Sequence, residues 1–326
     1  MLKVHRARSG ILLNLGRVKI GLDNGSAEIN LISHAHTDHI VGRNESKLTI
    51  ASEETVNLYS IRKSTKIKRY ISLKPGKQLE VDGIYITAFD AGHVLGSLQF
   101  LIEYANYSIL YTGDFNNEDS IIYKGAKPIE ADVLIVDSTY GKPDYVFPPR
   151  KELYSRMITE ALKALSSGKI PVFQGYSLGK AQEAVAIFQR LKIPVFIGDD
   201  STEKINQVYD KFGVKLNAKN IRKANPNVLL SSDAVIVTSN VGALKRKLQA
   251  FFGHEGKQII NRLKVFPLTG WAVRMKFGIP LSGHADFPRL LTFIDETRAK
   301  KVYAFTSNGR YLARFLKNRG IDAEYI

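Results

Sequence analysis

The chain has 326 residues, with 47 Lys and Arg against 31 Asp and Glu, a formal net charge of +16 and no cysteine. Without cysteine there are no disulfides, thiolate metal sites or cysteine nucleophiles, so any metal must be held by His, Asp or Glu. The basic surplus predicts a polyanionic partner, and because apolar runs such as "VLIV" and "AVIV" are far too short to span a bilayer, nucleic acid is expected rather than a membrane.

A chain of this length exceeds what one core usually organises, which predicts two domains or one domain with an insertion. The N-terminal "MLKVHRARSGILLNLGRVK" holds no long apolar stretch and no small-residue cleavage site, so no secretory signal is expected and the cytoplasm is the default compartment. The first 140 residues read as strand-rich: "RVKIGLD", "AEINLIS", "GIYITAFDA", "SLQFLIEY" and "YSILYTGD", with "EYANY" as a hairpin turn. From about Arg150 the grammar changes. Helix "RKELYSRMITEALKAL", strand "IPVFQG", helix "LGKAQEAVAIFQRLK", strand "PVFIG", helix "TEKINQVYDKF", strand "AVIVTS" and helix "GALKRKLQAFF" alternate in the manner of a parallel sheet covered by helices. In the second of those helices Leu178, Ala181, Val185 and Phe188 recur at helical spacing and define a buried face. After about Lys264 come "PLSGHADF", helix "PRLLTFIDET", strand "KKVYAF" and a last helix from Tyr311.

Only 7 histidines occur in the chain, and three of them fall in "SHAHTDH", Ser33 to His39. Side chains alternate along an extended segment, so His34 and His36 point the same way and can grip one ion, while Asp38 and His39 fall where a second can be served. Imidazole and carboxylate suit zinc, with manganese or iron also accommodated. His93 follows a strand in "AGHVLGS", where Gly92 and Gly96 permit an abrupt turn. Asp114 ends "ILYTGD", Asp137 ends "VLIVD", and His284 lies in "SGHAD". Each alone could be a cap or a structural polar residue; together with the H-x-H-x-D-H segment they form a constellation. His5 and His254 match no motif and read as surface residues.

"SHAHTDH", "GHVLGS" and "TGD" resemble the motifs of the metallo-β-lactamase fold, and "DSTYG" and "SGHAD" resemble the first two added motifs of its β-CASP branch of nucleases. The small exonuclease-like members, some associated with DNA ligase, look nearest, through "GYSLGKAQE" and "GHADFPRLL" as well. The resemblance implies an α/β fold: an αββα sandwich whose first part spans 1–149 and second part 266–326, with a β-CASP domain of parallel sheet and flanking helices inserted at 150–265. It further implies His34, His36 and His93 on one metal, Asp38 and His39 on the other, and Asp114 bridging them. Zn2+ is the expected ion, one or two per chain, with Mn2+ or Mg2+ as alternatives at the second site. Paired ions would activate water and clamp the phosphate, and Asp137 and His284 would form the acid unit that protonates the departing oxygen.

One position departs from the pattern. RNA-cleaving members place a histidine in the C-terminal strand, whereas here Thr306, Ser307 or Asn308 stands there, a weaker ligand that loosens the second site and tilts the expected substrate from RNA towards DNA. In "FQGYSLGKAQE" helix amides with Ser177 and Lys180 could hold a backbone phosphate; "TSNVGALK" offers Ser239 and Asn240 for the same role. In both, the alternative is a turn with a helix cap. Neither is a nucleotide P-loop, since Gly175 to Gly179 is one residue short and Ala181 replaces the hydroxyl that would bind magnesium. Basic residues concentrate in Ile61 to Lys77, including Lys66, Lys68 and Arg69, and again from Lys245 to Lys276, as phosphate contacts or as solvated faces. The expected activity is metal-dependent phosphodiester hydrolysis, an exonuclease on single-stranded DNA ahead of an RNA-processing enzyme, acting within a repair or RNA-processing complex, with a monomer as the default state. A small-molecule metallo-hydrolase and an inactive nucleic-acid-binding scaffold are the other classes open at this point.

Overall fold

The computed structural model describes residues 2–7, 10–40, 44–275 and 277–326. They fall into two compact units, one comprising Met1–Asp119, Tyr123–Val146 and Gly283–Ile326, the other Ser120–Ile122 and Phe147–Ser282.

The first unit begins with β1 (Lys3–Arg6), β2 (Ile11–Leu15), β3 (Val18–Leu22), β4 (Ile29–Leu31), β5 (Leu48–Ala51) and β6 (Tyr70–Ser72), side by side in that order in one sheet. Between the last two lies helix α1 (Glu53–Lys63), which the strand-rich sequence reading missed. Ser52 caps it by accepting from the Thr55 amide, Glu53 and Glu54 open it, and Arg62 and Lys63 close it, each placed to oppose the helix dipole. Its only large buried side chains are Leu58 and Tyr59, too few for a visible helical stripe. A second sheet follows with β7 (Gln78–Val81), β8 (Ile84–Asp90), β9 (Leu98–Tyr104), β10 (Tyr107–Tyr111) and β11 (Val133–Asp137), β9 and β10 being the antiparallel pair joined through the expected turn.

The second unit carries α2 (Arg150–Ser166), β12 (Ile170–Gln174), α3 (Lys180–Arg190), β13 (Val195–Ile197), α4 (Asp200–Lys211), β14 (Ala218–Asn220), α5 (Pro226–Leu230), β15 (Val235–Thr238), α6 (Val241–Arg262) and β16 (Leu263–Pro267). Its sheet, in order β14-β13-β15-β12-β16, is parallel at every pairing. Alternate residues feed opposite faces: Phe173, Val235 and Val237 pack on Leu153, Met157 and Val185 of α2 and α3, while Val172 and Ile236 pack on Leu229, Leu244 and Leu248 of α5 and α6. The unit reaches past 265, the boundary drawn from sequence, to Ser282. Leu268, Ile279 and Leu281 join the core beneath Phe173, and Leu268 bridges to Ile279, so this aperiodic stretch is tied down by burial.

The chain then returns to the first unit as α7 (Phe287–Thr297), β17 (Lys301–Phe305), α8 (Gly309–Lys317) and β18 (Asp322–Tyr325), completing the second sheet as β18-β17-β11-β10-β9-β8-β7. The two sheets share a core in which Leu13, Ile20, Leu22 and Leu31 face Ile86, Phe100, Ile109 and Ile135. On the far side Leu110, Leu134, Val136 and Val302 meet Leu290 and Phe293 of α7 and Leu312 and Leu316 of α8. On the outer face of the first sheet Tyr59 of α1 packs with Ile32 and Ala51. Each fully buried Leu or Phe stabilises by about 1.5–3 kcal/mol relative to exposure, so four layers, αββα, are held by alternation alone. Among the described residues no helix is long and apolar enough to cross a membrane.

Candidate active site

Every candidate ligand of the first unit sits at or just beyond the end of a strand. His34, His36, Asp38 and His39 follow β4, His93 follows β8, Asp114 follows β10, Asp137 is the last residue of β11, and His284 precedes α7. Parallel β10, β11 and β17 therefore deliver their carboxyl-terminal residues to one edge. Gly113 (φ 54°) makes this possible between β10 and Asp114, because a Cβ there would lie 2.5 Å from the Ser33 Cβ.

The first set of donors converges closely. His34 Nε2 and His93 Nε2 each lie 3.0 Å from His36 Nδ1. Asp114 Oδ2 lies 3.6 Å from His34 Nε2 and 3.7 Å from His93 Nε2. Donors held at about 2.0–2.1 Å around a tetrahedral zinc ion stand roughly 3.3 Å apart, so this spacing is that of a coordination sphere. The tautomers agree. Ser33 Oγ donates its one proton to Asp23 Oδ2 at 2.6 Å and can only accept at 2.9 Å from His34 Nδ1, which leaves the His34 Nε2 lone pair facing the cluster. His93 Nδ1 donates to the Gly283 carbonyl at 2.7 Å, with the same consequence for its Nε2. Burial, with His39 nearby, holds His34 well below the ordinary histidine pKa, and burial with His284 does so for His93. Asp114 Oδ1 is buried with no hydrogen-bond partner among the described residues. Neutral imidazoles aimed at one another beside an unanswered carboxylate oxygen fit a divalent cation, and nothing else in the donor set fits as well.

His39 Nε2 lies 3.3 Å from Asp114 Oδ2 and 4.0 Å from Asp38 Oδ2, so Asp114 stands between the two donor sets. Burial opposes charge on His39, but the carboxylates of Asp114 and Asp23 outweigh it and raise its pKa well above the ordinary value. Burial likewise opposes ionisation of Asp114, and His39 and His284 reverse that, holding it well below the carboxylate range. Asp38 is unlike the rest: its side chain is 79% exposed, at the solvent side of His39.

Sequence reasoning missed Asp23. Its carboxylate accepts from the Ser33 amide at 2.6 Å, Ser33 Oγ at 2.6 Å, Tyr111 OH at 2.7 Å and His39 Nδ1 at 2.7 Å. These bonds tie Asp23 to Ser33, Tyr111 and His39 and bring it within the same small group as His34 and His39. The available signal was an acid closing the strand "RVKIGLD", the same signal read at Asp114 and Asp137. Because Asp23 fixes the tautomer and orientation of His39, Asp23→Asn is expected to weaken divalent-metal affinity about 10–100-fold. A metal titration followed by calorimetry checks this; an unchanged affinity would show that His39 is oriented without Asp23.

Asp137 Oδ2 accepts from His284 Nδ1 at 2.7 Å, and His284 Nε2 lies 3.9 Å from Asp114 Oδ2. The His284 segment is anchored through its own carbonyl, which accepts from Asn116 Nδ2 at 3.1 Å, and through the Ala285 amide, which donates to Phe115 at 2.9 Å. The three third-motif positions do not join any group able to hold a metal among the described residues. Thr306 donates its hydroxyl to Asp137 Oδ1 at 2.9 Å, Ser307 is exposed, and the Asn308 amide donates to the Thr139 carbonyl at 2.6 Å. His5 and His254 are exposed.

In the second unit, Lys180 opens α3 with its Nζ 4.4 Å from the centre of the Tyr176 ring, and burial lowers its pKa to about 8. Ser177 lies in the same turn, whose carbonyl accepts from Gln182 Nε2 at 2.9 Å while Gln182 Oε1 caps the Gly179 amide at 2.7 Å. The other segment is used internally: the Ser239 amide donates to Asp199 Oδ2 at 2.6 Å, and Asn240 Oδ1 caps α6 through the Ala243 amide at 2.9 Å. The two basic runs also differ. Lys66, Lys68, Arg69, Lys74 and Lys77 are exposed. In the run from Lys245 to Lys276, Arg262 bonds the Gly168 carbonyl at 2.6 Å and Ser232 Oγ at 2.5 Å, and Lys247 bonds Asp200 at 2.7 Å, so part of that charge serves the fold; Lys276 lies outside the described residues.

No family model matches the chain. Among curated proteins it is 28% identical over 307 residues to a "Probable DNA ligase" of Opitutus terrae, covering 90% of this chain and 28% of that protein. It is 30% identical over 248 residues to "Cleavage and polyadenylation specificity factor subunit 3" of Dictyostelium discoideum, covering 63% of this chain and 31% of that one. With an "RNase J-like protein" of Methanocaldococcus jannaschii it shares 24% identity over 339 residues, covering 84% and 79%. The chain thus spans less than a third of the length of the first two relatives. A solved structure titled as a protein of unknown function from Enterococcus faecalis shares the fold, with a TM-score of 0.62 at 12% identity, over 100% of this chain and 97% of that one.

Proposed function

We infer that this chain, which belongs to the β-CASP branch of the metallo-β-lactamase superfamily, is a divalent-metal-dependent nuclease that hydrolyses phosphodiester bonds. The observation that carries this reading is the union of two devices on one sheet edge: a four-donor set of buried His34, His93 and Asp114 with half-buried His36, and an Asp137–His284 pair 3.9 Å from the same Asp114.

His34, His36, His93 and Asp114 would hold one ion, and Asp38, His39 and Asp114 a second, with Zn2+ favoured by the donor types and Mn2+ or Mg2+ suited to the more exposed Asp38 side. Divalent ions in such a pocket supply acidification of a water and neutralisation of phosphate charge. The chain's own residues do the rest. His284 protonates the departing oxygen from Nε2 while Asp137 orients its ring and stabilises the imidazolium through Nδ1, the only nitrogen left to it. Ser177 and Lys180 contact a backbone phosphate, and the exposed cations from Lys66 to Lys77 supply a salt-sensitive hold that ignores base identity.

The favoured substrate is single-stranded DNA, degraded from an end. It is supported by the lack of a histidine at Thr306, Ser307 and Asn308 and by the ligase relative that covers most of the chain. The RNA reading has its own support in relatives named endoribonuclease, such as that of Schizosaccharomyces pombe. A time course on matched DNA and RNA oligonucleotides labelled at either end, with added zinc or manganese and a His36→Ala control, tests the choice. End-directed loss of DNA, absent in the control, is the expected result; preferential RNA cleavage transfers the enzyme to RNA maturation, and inactivity on both overturns the nuclease reading.

A further inference from the structure

The position where a third metal-site residue was expected does something else. Strand β11 pairs with β17 in register Asp137 to Phe305, so the residue after the pair, Thr306, emerges beside the Asp137–Ser138 turn. Thr306 has φ 77°, a left-handed conformation that a β-branched residue adopts only when its surroundings impose it. That turn brings its hydroxyl back onto the strand end. Oγ1 accepts from the Ser138 amide at 3.0 Å and donates to Asp137 Oδ1 at 2.9 Å, so both of its hydrogen-bonding roles are fixed. Thr139 adds its amide at 2.9 Å and its hydroxyl at 2.7 Å to the same oxygen, leaving Oδ2 for His284 Nδ1 at 2.7 Å. The two Thr139 donors belong to the turn that follows Asp137. Among the described residues, Thr306 alone ties that oxygen to the neighbouring strand.

We propose that Thr306 is a positioning residue: its strained backbone and hydroxyl lock the rotation of the Asp137 carboxylate, and through it the ring of His284, instead of contributing a ligand to a second metal. This rests on the reading of Asp137 and His284 as the acid unit. A carboxylate whose Oδ1 is bonded from two directions cannot swing about its χ2 axis, so the His284 ring is held with Nε2 towards Asp114. Loss of the hydroxyl frees one of those restraints while the Ser138 amide keeps its bond to the Phe305 carbonyl at 3.1 Å, so the strand end itself stays in place.

The test compares Thr306→Val, which keeps the β-branch and removes the hydroxyl, with Thr306→Ser, which keeps the hydroxyl. Each is assayed on an oligonucleotide, whose leaving oxygen needs a proton, and on a p-nitrophenyl phosphodiester, whose phenolate leaves without one. Thr306→Val is expected to lower kcat on the oligonucleotide about tenfold at unchanged KM, with the activated ester affected by less than about twofold, and Thr306→Ser to restore the oligonucleotide rate. Metal content per chain stays at the wild-type value in both. An equal fall on both substrates, or a loss of bound metal in Thr306→Val, overturns the proposal, as does a wild-type rate on both. His284→Ala run alongside separates the two layers: if it loses oligonucleotide cleavage and Thr306→Val does not, only the positioning role falls, whereas a fully active His284→Ala removes the acid unit and this inference with it.

Discussion

Replacing Asp114 by asparagine is expected to lower phosphodiester cleavage by at least about 10³-fold, because the metal chemistry proposed for this site would carry several kcal/mol of the barrier and each 1.36 kcal/mol is a factor of ten. Its carboxylate reaches four histidines of the site: Oδ2 lies within 3.3–3.9 Å of His39, His34, His93 and His284 nitrogens. Asparagine preserves shape and packing but removes the negative charge that would hold a divalent cation. Metal analysis of the purified variant should show bound ion falling with activity, while circular dichroism and binding of a single-stranded oligonucleotide stay near wild type. An Asp114→Asn protein that keeps both its metal and its rate would remove the bridging role.

The second large effect belongs to His284→Ala. Loss of a general acid costs typically about 10²–10⁴-fold, and the cost depends on how badly the leaving group needs the proton. An oligonucleotide, which expels an alkoxide, should suffer the full loss; a p-nitrophenyl phosphodiester should lose less than about tenfold. Asp137→Asn should follow the same pattern, because an amide in place of the acceptor of His284 Nδ1 no longer stabilises the imidazolium. Equal losses on the two substrates would mean that His284 acts by binding rather than by proton transfer.

How much of this was legible in the sequence can be argued residue by residue. The αββα fold was implied by the resemblance carried by "SHAHTDH", "GHVLGS" and "TGD", and the parallel sheet of the second unit by the alternation of strands and helices from Arg150; inside the sheets the pleat then sends Leu134 and Val136 to one layer and Ile135 to the other. Helix α1 was hidden because Leu58 and Tyr59 make no helical stripe and Arg62 and Lys63 fall within the basic run from Ile61 to Lys77, although with Glu53 and Glu54 at the other end they are the helix's dipole partners. That the second compact unit reaches Ser282 was not legible, because 268–282 has no periodicity and three buried apolar residues, Leu268, Ile279 and Leu281, join it to that unit's core. The candidate segment stood out by local spacing, since His34, His36, Asp38 and His39 are neighbours in the chain. Asp23 was not, because its meaning arises only when residues 23, 33, 39 and 111 meet, up to 88 positions apart. Thr306 shows the converse: its place in the strand suggested a ligand, but a backbone angle decides where its hydroxyl points, and spacing carries no information about that.

The pair proposed to donate the proton is widely separated in the chain: His284 is 147 residues downstream of Asp137. A ribosome adds about 5–20 residues per second, so roughly 7–30 s separate the synthesis of the two partners. Throughout that interval His34, His36, His93 and Asp114 have already been made, so on the reading of Asp137 and His284 as an acid unit the means of cutting is expected to wait on translation of His284. Until then nucleic acid beside the ribosome meets an unfinished blade.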